Sequence, residues 1–332
     1  MKRKLAFLLM LCFGWSFFLN GCGGTLPKTD DRLQVVCTIF PEYDWARQLT
    51  QGVDNVDLTL LVKNGTDLHS YQPSVRDIAI IARADVFCYV GGVSDTWVND
   101  VLDTTENRTA QLVSMAEAAD ADEEVLAEGM QAEHEHEHEH DHHDDESDSH
   151  EEPPELDEHV WLSLRRAALA CTAMKEALCK ADPAHEDIYN QNCTDYLQKL
   201  QELDSDFTEM TSQAARDTIV VADRFPFRYL AEDYGLTYYA AFPGCSAETE
   251  ASFETIVFLS EKVESLHLPC VLVTEGSNSS LAKTILENAG SDGKILTLQS
   301  LQAVSQKEID TGITYLSKMQ ENYDVLKQAL NS

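Results

Sequence analysis

Apolar and polar positions along the chain follow two periods. Runs rich in β-branched and aromatic residues at 33–39, 56–62 and 85–90 have strand character. Between them, residues 43–49, 75–82 and 96–102 have helical character. The scheme returns with strands at 218–222, 236–242, 270–274 and 295–298 and helices in the gaps. Strands alternating with helices of this length predict α/β architecture with parallel, doubly wound sheets. One lobe is expected over 33–116 and a second over 216–332. Between them Tyr189, Cys193, Tyr196, Leu200, Leu203 and Phe207 recur at steps of four and three, which predicts one long amphipathic helix over 184–215. Asp182 caps it and Pro183 takes its first position, and a further helix at 158–183 is assigned to the first lobe. A single rigid helix joining two lobes predicts little hinge motion.

The rhythm breaks between 117 and 157, where apolar content is too low to offset chain entropy and a disordered acidic loop is expected. Its centre reads EHEHEHEHDHHDDESDSH and holds His134, His136, His138, His140, His142, His143 and His150, seven of the eleven histidines. Neutral imidazoles bind zinc, copper or nickel, and the carboxylates raise the local cation concentration. The alternating spacing fixes no single geometry, so several weak, exchangeable sites are expected. The plainer alternative is a solvated acidic loop whose histidines only titrate.

At the start of the chain, Lys2, Arg3 and Lys4 precede an apolar run over 5–18 and then Leu19, Asn20, Gly21 and Cys22. The run is shorter than the roughly 20 residues that span a bilayer. This pattern resembles a bacterial lipoprotein signal, with 1–21 removed, Cys22 carrying the lipid and 22–32 as a linker. An uncleaved anchor or an ordinary secretory signal is the alternative. The chain has nine cysteines; setting aside Cys12 and Cys22 leaves an odd number, none at Cys-x-x-Cys spacing.

A formal net charge of −34 argues against nucleic acid, because a phosphate backbone needs Lys and Arg to displace its counterions. Between Arg108 and Arg165 lie 20 Asp and Glu and no Lys or Arg, so the rest of the chain carries only −14.

Four histidines lie outside the tract: His69, His159, His185 and His267. His69 follows a strand in a loop with Asn64, Gly65 and Pro73, and open α/β sheets place ligands beyond the carboxyl ends of their strands. His159 sits where the acidic insert gives way to a helix, at the base of the histidine tract. His185 and His267 read as structural, one beside a helix cap and the other ending a helix.

The runs VVCTIFPEYDWARQL, GTDLHSYQPSVRDIAIIARADVFCYVGG, DEHVWLSL, YGLTYYAAFPGCSAETEAS and GITYLSKMQ resemble the zinc and manganese solute-binding lipoproteins of bacterial ABC importers, the cluster-nine family. The similarity covers nearly all of the chain beyond the signal except the insert. It implies two pseudo-symmetric lobes joined by one long helix, with a metal held in the cleft between them. The family's first two ligands fall on His69 and His159. Where most relatives place a histidine or glutamate in the second lobe, counting back from Tyr234 puts Arg224, within a DRFPFRY stretch that resembles a variant subgroup. A guanidinium has no lone pair for a metal. Asp223 beside it has an equally good reading as a strand-end carboxylate. Near the end, Gln299 and Gln302 stand where relatives place Asp or His. Glu275, directly after a strand, is then the best second-lobe donor, and Cys245 is a softer donor whose ordinary reading is a buried or bridged cysteine.

Two imidazoles, one carboxylate and a water suit tetrahedral zinc, whereas manganese prefers more oxygen donors and remains the alternative. The resemblance implies a monomeric binding protein, not an enzyme, that hands its metal to an ABC permease. Competing readings are an adhesin-like surface lipoprotein with a structural metal and a zinc hydrolase. The hydrolase lacks a His-Glu-x-x-His helix or an activated nucleophile.

Overall fold

The computed structural model describes residues 32–63, 65–105, 109–130, 156–246 and 250–332. Cys22, the proposed signal and the seven-histidine tract lie outside the described residues.

The first lobe runs β1 (Leu33–Cys37), α1 (Phe40–Leu49), β2 (Val56–Leu60), α2 (Val75–Ile81), β3 (Val86–Tyr89), α3 (Trp97–Thr104), β4 (Gln111–Ser114) and a short helix α4 (Met115–Ala118). Two long helices follow, α5 (Leu164–Ala181) and α6 (Glu186–Ser212). The second lobe runs β5 (Thr218–Phe225), α7 (Arg228–Asp233), β6 (Thr237–Pro243), α8 (Phe253–Ser265), β7 (Cys270–Thr274), α9 (Ser280–Asn288), β8 (Lys294–Leu298), α10 (Gln306–Asp310) and α11 (Tyr315–Asn331).

Each lobe holds a four-stranded sheet, ordered β2-β1-β3-β4 and β6-β5-β7-β8, and every pairing is parallel. The permutation is the same in both, so each strand of one lobe has a counterpart in the other. The central strands are buried on both faces, as parallel sheets covered by helices require: Val35, Val36 and Cys37 in β1, and Val220 and Val221 in β5. β4 was not anticipated, because only Val113 of its four residues is buried and Leu112 is exposed, leaving almost no pattern to read.

The long helix begins one turn later than expected: Asp182 precedes a 3-10 turn at Pro183–His185 without a side-chain cap bond, His185 takes the N-cap position, and α6 runs for 27 residues, about 40 Å. It buries Tyr189, Cys193, Tyr196, Leu200, Leu203, Phe207 and Met210, one stripe along its length. Ser163 starts α5, its Oγ accepting from Arg166 N at 3.0 Å.

Part of the acidic insert is built into the fold, in contrast to the loop expected over 117–157. Glu123 and Leu156 form an antiparallel bridge, Asp157 N donates to Asp122 O at 2.9 Å, and Asp122 N donates to Tyr229 Oη at 2.9 Å. Arg166 pairs with Asp122 at 2.5 Å. Composition hid this order because acidic side chains and backbone are satisfied by partners distant in sequence, with Ala119, Ala121 and Met130 adding only a little apolar packing.

Buried hydrogen bonds fasten the end of the chain across the molecule. Tyr315 N donates to Asp44 Oδ2 at 2.7 Å, Tyr315 Oη to Trp161 O at 2.6 Å, and Trp161 Nε1 to Ser300 O at 2.8 Å. Among the described residues no helix is long and apolar enough to cross a membrane.

Candidate metal centre

The site is built from loops at the carboxyl ends of the strands. Beyond β2, Asp67 caps a 3-10 turn over Leu68–Ser70, its Oδ1 accepting from His69 N at 3.0 Å, which fixes the His69 backbone. Beyond β3, Ser94 sits in a second short turn, and Ser94 Oγ lies 2.8 Å from His69 Nδ1. The same hydroxyl donates to Glu158, whose other carboxylate oxygen accepts from Ser94 N at 3.0 Å. A serine hydroxyl has one proton. With that proton on Glu158, His69 Nδ1 donates to Ser94, and the lone pair of His69 is left on Nε2.

His159 is arranged alike. Its Nδ1 lies 2.8 Å from Asp157 Oδ1, and its backbone N donates to the same oxygen at 3.1 Å. Nδ1–H donates to that oxygen, so in the neutral ring this lone pair too is on Nε2. Carboxylates and hydroxyls that fix ring tautomers from behind are what metal-binding histidines require. His159 is fully buried, and neither His69 Nε2 nor His159 Nε2 has a hydrogen-bond partner. The ring centroids are 5.5 Å apart. Two buried orphan acceptors side by side cost free energy unless something binds them.

The electrostatics suit a cation. Burial, and after it the neighbouring His159 ring, pulls the His69 ring down to about 3, so it is neutral and available as a donor near neutral pH. For His159 burial also opposes the charged ring. The Asp157 hydrogen bond and the fields of Asp157, Glu158 and Glu124 outweigh it and raise the ring above its ordinary value, so a cation binding Nε2 competes with a proton there while gaining from the same carboxylates. Burial raises Glu158, with the His159 ring and the Ser94 donors pulling the other way.

The second lobe closes the site. Gly244 follows β6, and a Cβ there would lie 2.9 Å from His159 Cε1 and 3.0 Å from Nδ1, so only glycine admits this approach. Among the described residues, His69, Glu158 and Cys245 are the group whose potential donor atoms lie within 4.8 Å of one another. Cys245 N donates to Glu124 Oε1 at 3.1 Å, which ties the acidic segment to the same loop.

Glu275 is not brought into that group. Its two oxygens accept from Ser300 N at 2.6 Å and Ser300 Oγ at 2.7 Å, bracing the turn after β8. Asp223 accepts from Thr274 N at 3.3 Å and Thr274 Oγ1 at 2.8 Å, holding β5 to β7. Arg224 spans the lobes, with its Nη2 2.8 Å from Asp67 Oδ2. Burial resists ionising Asp67, but the guanidinium wins and lowers its carboxyl. Gln299 accepts from Lys318 Nζ at 3.3 Å. His185 pairs with Asp182 at 2.7 Å, and His267 follows the C-cap of α8 in the left-handed region, φ 49°. Sequence reasoning passed over Glu158, Asp157 and Ser94. The acidic pair before His159 was a visible signal for the first two, whereas Ser94 is recruited by the fold.

A sequence-family model described as zinc-uptake complex component A, periplasmic (ZnuA), matches residues 35–329. The zinc-binding lipoprotein AdcA of Streptococcus pneumoniae is 31% identical over 328 residues, covering 99% of this chain but 61% of AdcA. The chain thus spans about three-fifths of that relative. The high-affinity zinc uptake system protein ZnuA of Bacillus subtilis is 30% identical over 329 residues, covering 98% of this chain and 96% of ZnuA. The crystal structure of the Zn(II)-bound ZnuA-like domain of S. pneumoniae AdcA superposes with a TM-score of 0.69 at 28% identity, covering 91% of this chain and 100% of that domain. With the family model spanning both lobes and a relative matched almost end to end, the chain belongs to the ZnuA family of zinc-uptake components.

Proposed function

We propose that this protein captures zinc outside the membrane, in the cleft between its lobes, and delivers it to the permease of an ABC importer, tethered meanwhile by lipid on Cys22. The observation that carries the reading is the pair of buried rings, His69 and His159, each with its tautomer set from behind and its Nε2 unpartnered. Zinc is the cargo, and His69 and His159 hold it, with Glu158 the carboxylate nearest to hand. Glu275 would have to release Ser300 before it could bind metal, so in this reading it supports the cleft wall. A nitrogen-rich set in a confined site suits tetrahedral zinc better than manganese. We read the protein as a monomeric carrier rather than a catalyst, and the tract His134, His136, His138, His140, His142, His143 and His150 as a collector feeding the cleft.

Isothermal titration of the wild type with zinc should give one tight site plus weaker ones. His69→Ala with His159→Ala should remove the tight site and leave the weaker ones. A tight site that survives the double change contradicts the assignment.

A further inference from the structure

We propose that the second lobe contributes its metal ligand through the thiolate of Cys245, which makes the centre a two-histidine, one-cysteine site selective for soft, tetrahedral cations; this deepens the zinc reading and rests on it. The argument starts from a shortage. In the second lobe Arg224 is committed to Asp67, Asp223 to Thr274, and Glu275 to Ser300. Each carboxylate that could have reached the metal already holds a strand or turn together, and the guanidinium has no lone pair to give.

Cys245 is placed where a donor should be. The lobes share one strand order, so β6 is the counterpart of β2. His69 lies in the loop after β2, and Cys245 lies in the turn directly after β6. The two loops meet: a nitrogen of His69, an oxygen of Glu158 and the sulfur of Cys245 lie within 4.8 Å of one another. The independent observation is His159, fully buried, its Nε2 without a partner, its ring packed against Gly244, the residue before Cys245. Cys245 is unbridged, and its sulfur lies beside the Glu158 backbone and the Glu124 carboxyl, partners that a metal would replace.

Binding needs no oxidant. The sulfur–metal bond forms as the S–H bond breaks, and the proton leaves to solvent. A thiolate beside two imidazoles favours zinc over manganese, which prefers carboxylate and carbonyl oxygens. Arg224, in turn, cannot bind metal itself but joins the lobes across the cleft through Asp67, on the His69 turn.

The test uses cobalt(II) on the full-length protein, one equivalent per chain. The wild type should show a thiolate-to-cobalt charge-transfer band in the near ultraviolet. Cys245→Ser should still bind cobalt but lose the band, and should bind zinc more weakly by at least about tenfold, the lower end of what supporting-shell changes cost. Manganese in excess should not displace cobalt from the wild type. A wild type that binds cobalt through His69 and His159 without the band, or a band that persists in Cys245→Ser, overturns the thiolate while leaving zinc capture intact. Should the variant misfold, X-ray absorption of the zinc-loaded wild type decides. A sulfur shell at about 2.3 Å supports the proposal, and a shell of only nitrogen and oxygen overturns it. Survival of tight zinc binding in the double histidine variant is a separate result, and it would sink the functional reading itself.

Discussion

Asp157 sets the tautomer of His159 and offers that ring its nearest charge, at 2.8 Å. Asp157→Asn can still accept a hydrogen bond but loses the charge, and changes of this kind weaken metal binding by about 10- to 100-fold. Competition against a fluorescent zinc chelator should show that loss with an unchanged circular dichroism spectrum; unchanged affinity would mean Asp157 is only structural. Deeper in the first lobe, burial, and after it the charge of Asp95, pushes the Glu42 carboxyl from 4.5 up to about 8. A pKa raised on folding means the native state holds a proton that the unfolded chain has lost. This contribution is therefore complete below about 4.5 and disappears as pH rises through about 8. Asp95, pushed up to about 7 first by burial and then by Glu158, acts in the same sense. Glu42→Gln stays neutral at every pH, so its melting temperature should fall less than that of the wild type between pH 4.5 and 8. Parallel curves would contradict the buried acid. At this scale His69 and His159 were singled out by their loops and above all by the family resemblance, and the fold sets their rings 5.5 Å apart. Cys245 and Glu158 were harder to read, since their partnership depends on two loops meeting from opposite lobes.

The helices carry much of what the sequence made visible. The 27-residue α6 was readable because its buried stripe repeats for about six turns, and most strands were readable because parallel sheets need continuous apolar runs. The short β4 and the ordered part of the acidic segment were not, since edge pairing and scattered hydrogen bonds leave no period. The joint between the lobes was equally invisible. It depends on Tyr315, which starts α11 and reaches Asp44 and Trp161, 271 and 154 residues away. Tyr315→Phe removes only the bond to Trp161 O and leaves a buried acceptor without its donor. That should cost about 1–3 kcal/mol in denaturant unfolding while zinc stoichiometry stays the same. A cost near zero would show that the carbonyl finds another partner. Gly92→Ala probes the loop after β3, because a Cβ there would sit 2.3 Å from Glu158 Oε2 and 2.5 Å from its Cβ. The variant should be less stable by about 1–3 kcal/mol and should bind zinc more weakly as Glu158 is displaced; an unaltered affinity would separate Glu158 from the site.

For the whole molecule, two sheets of identical strand order are fastened by α6 and by α11, a frame from which we expect little hinge motion about the proposed metal cleft. In the proposed function the acidic tract adds capacity, not the principal site. Deleting residues 133–150 should therefore remove only the weak zinc equivalents from a titration and leave the tight one, whereas loss of the tight site would assign a principal ligand to the tract. The most direct measurement is a crystal structure of the zinc-loaded protein with anomalous data collected on both sides of the zinc edge. The peak should lie within bonding distance of Nε2 of both His69 and His159, with Cys245 Sγ in contact. A peak placed away from either ring, or bound through Nδ1, would contradict the account.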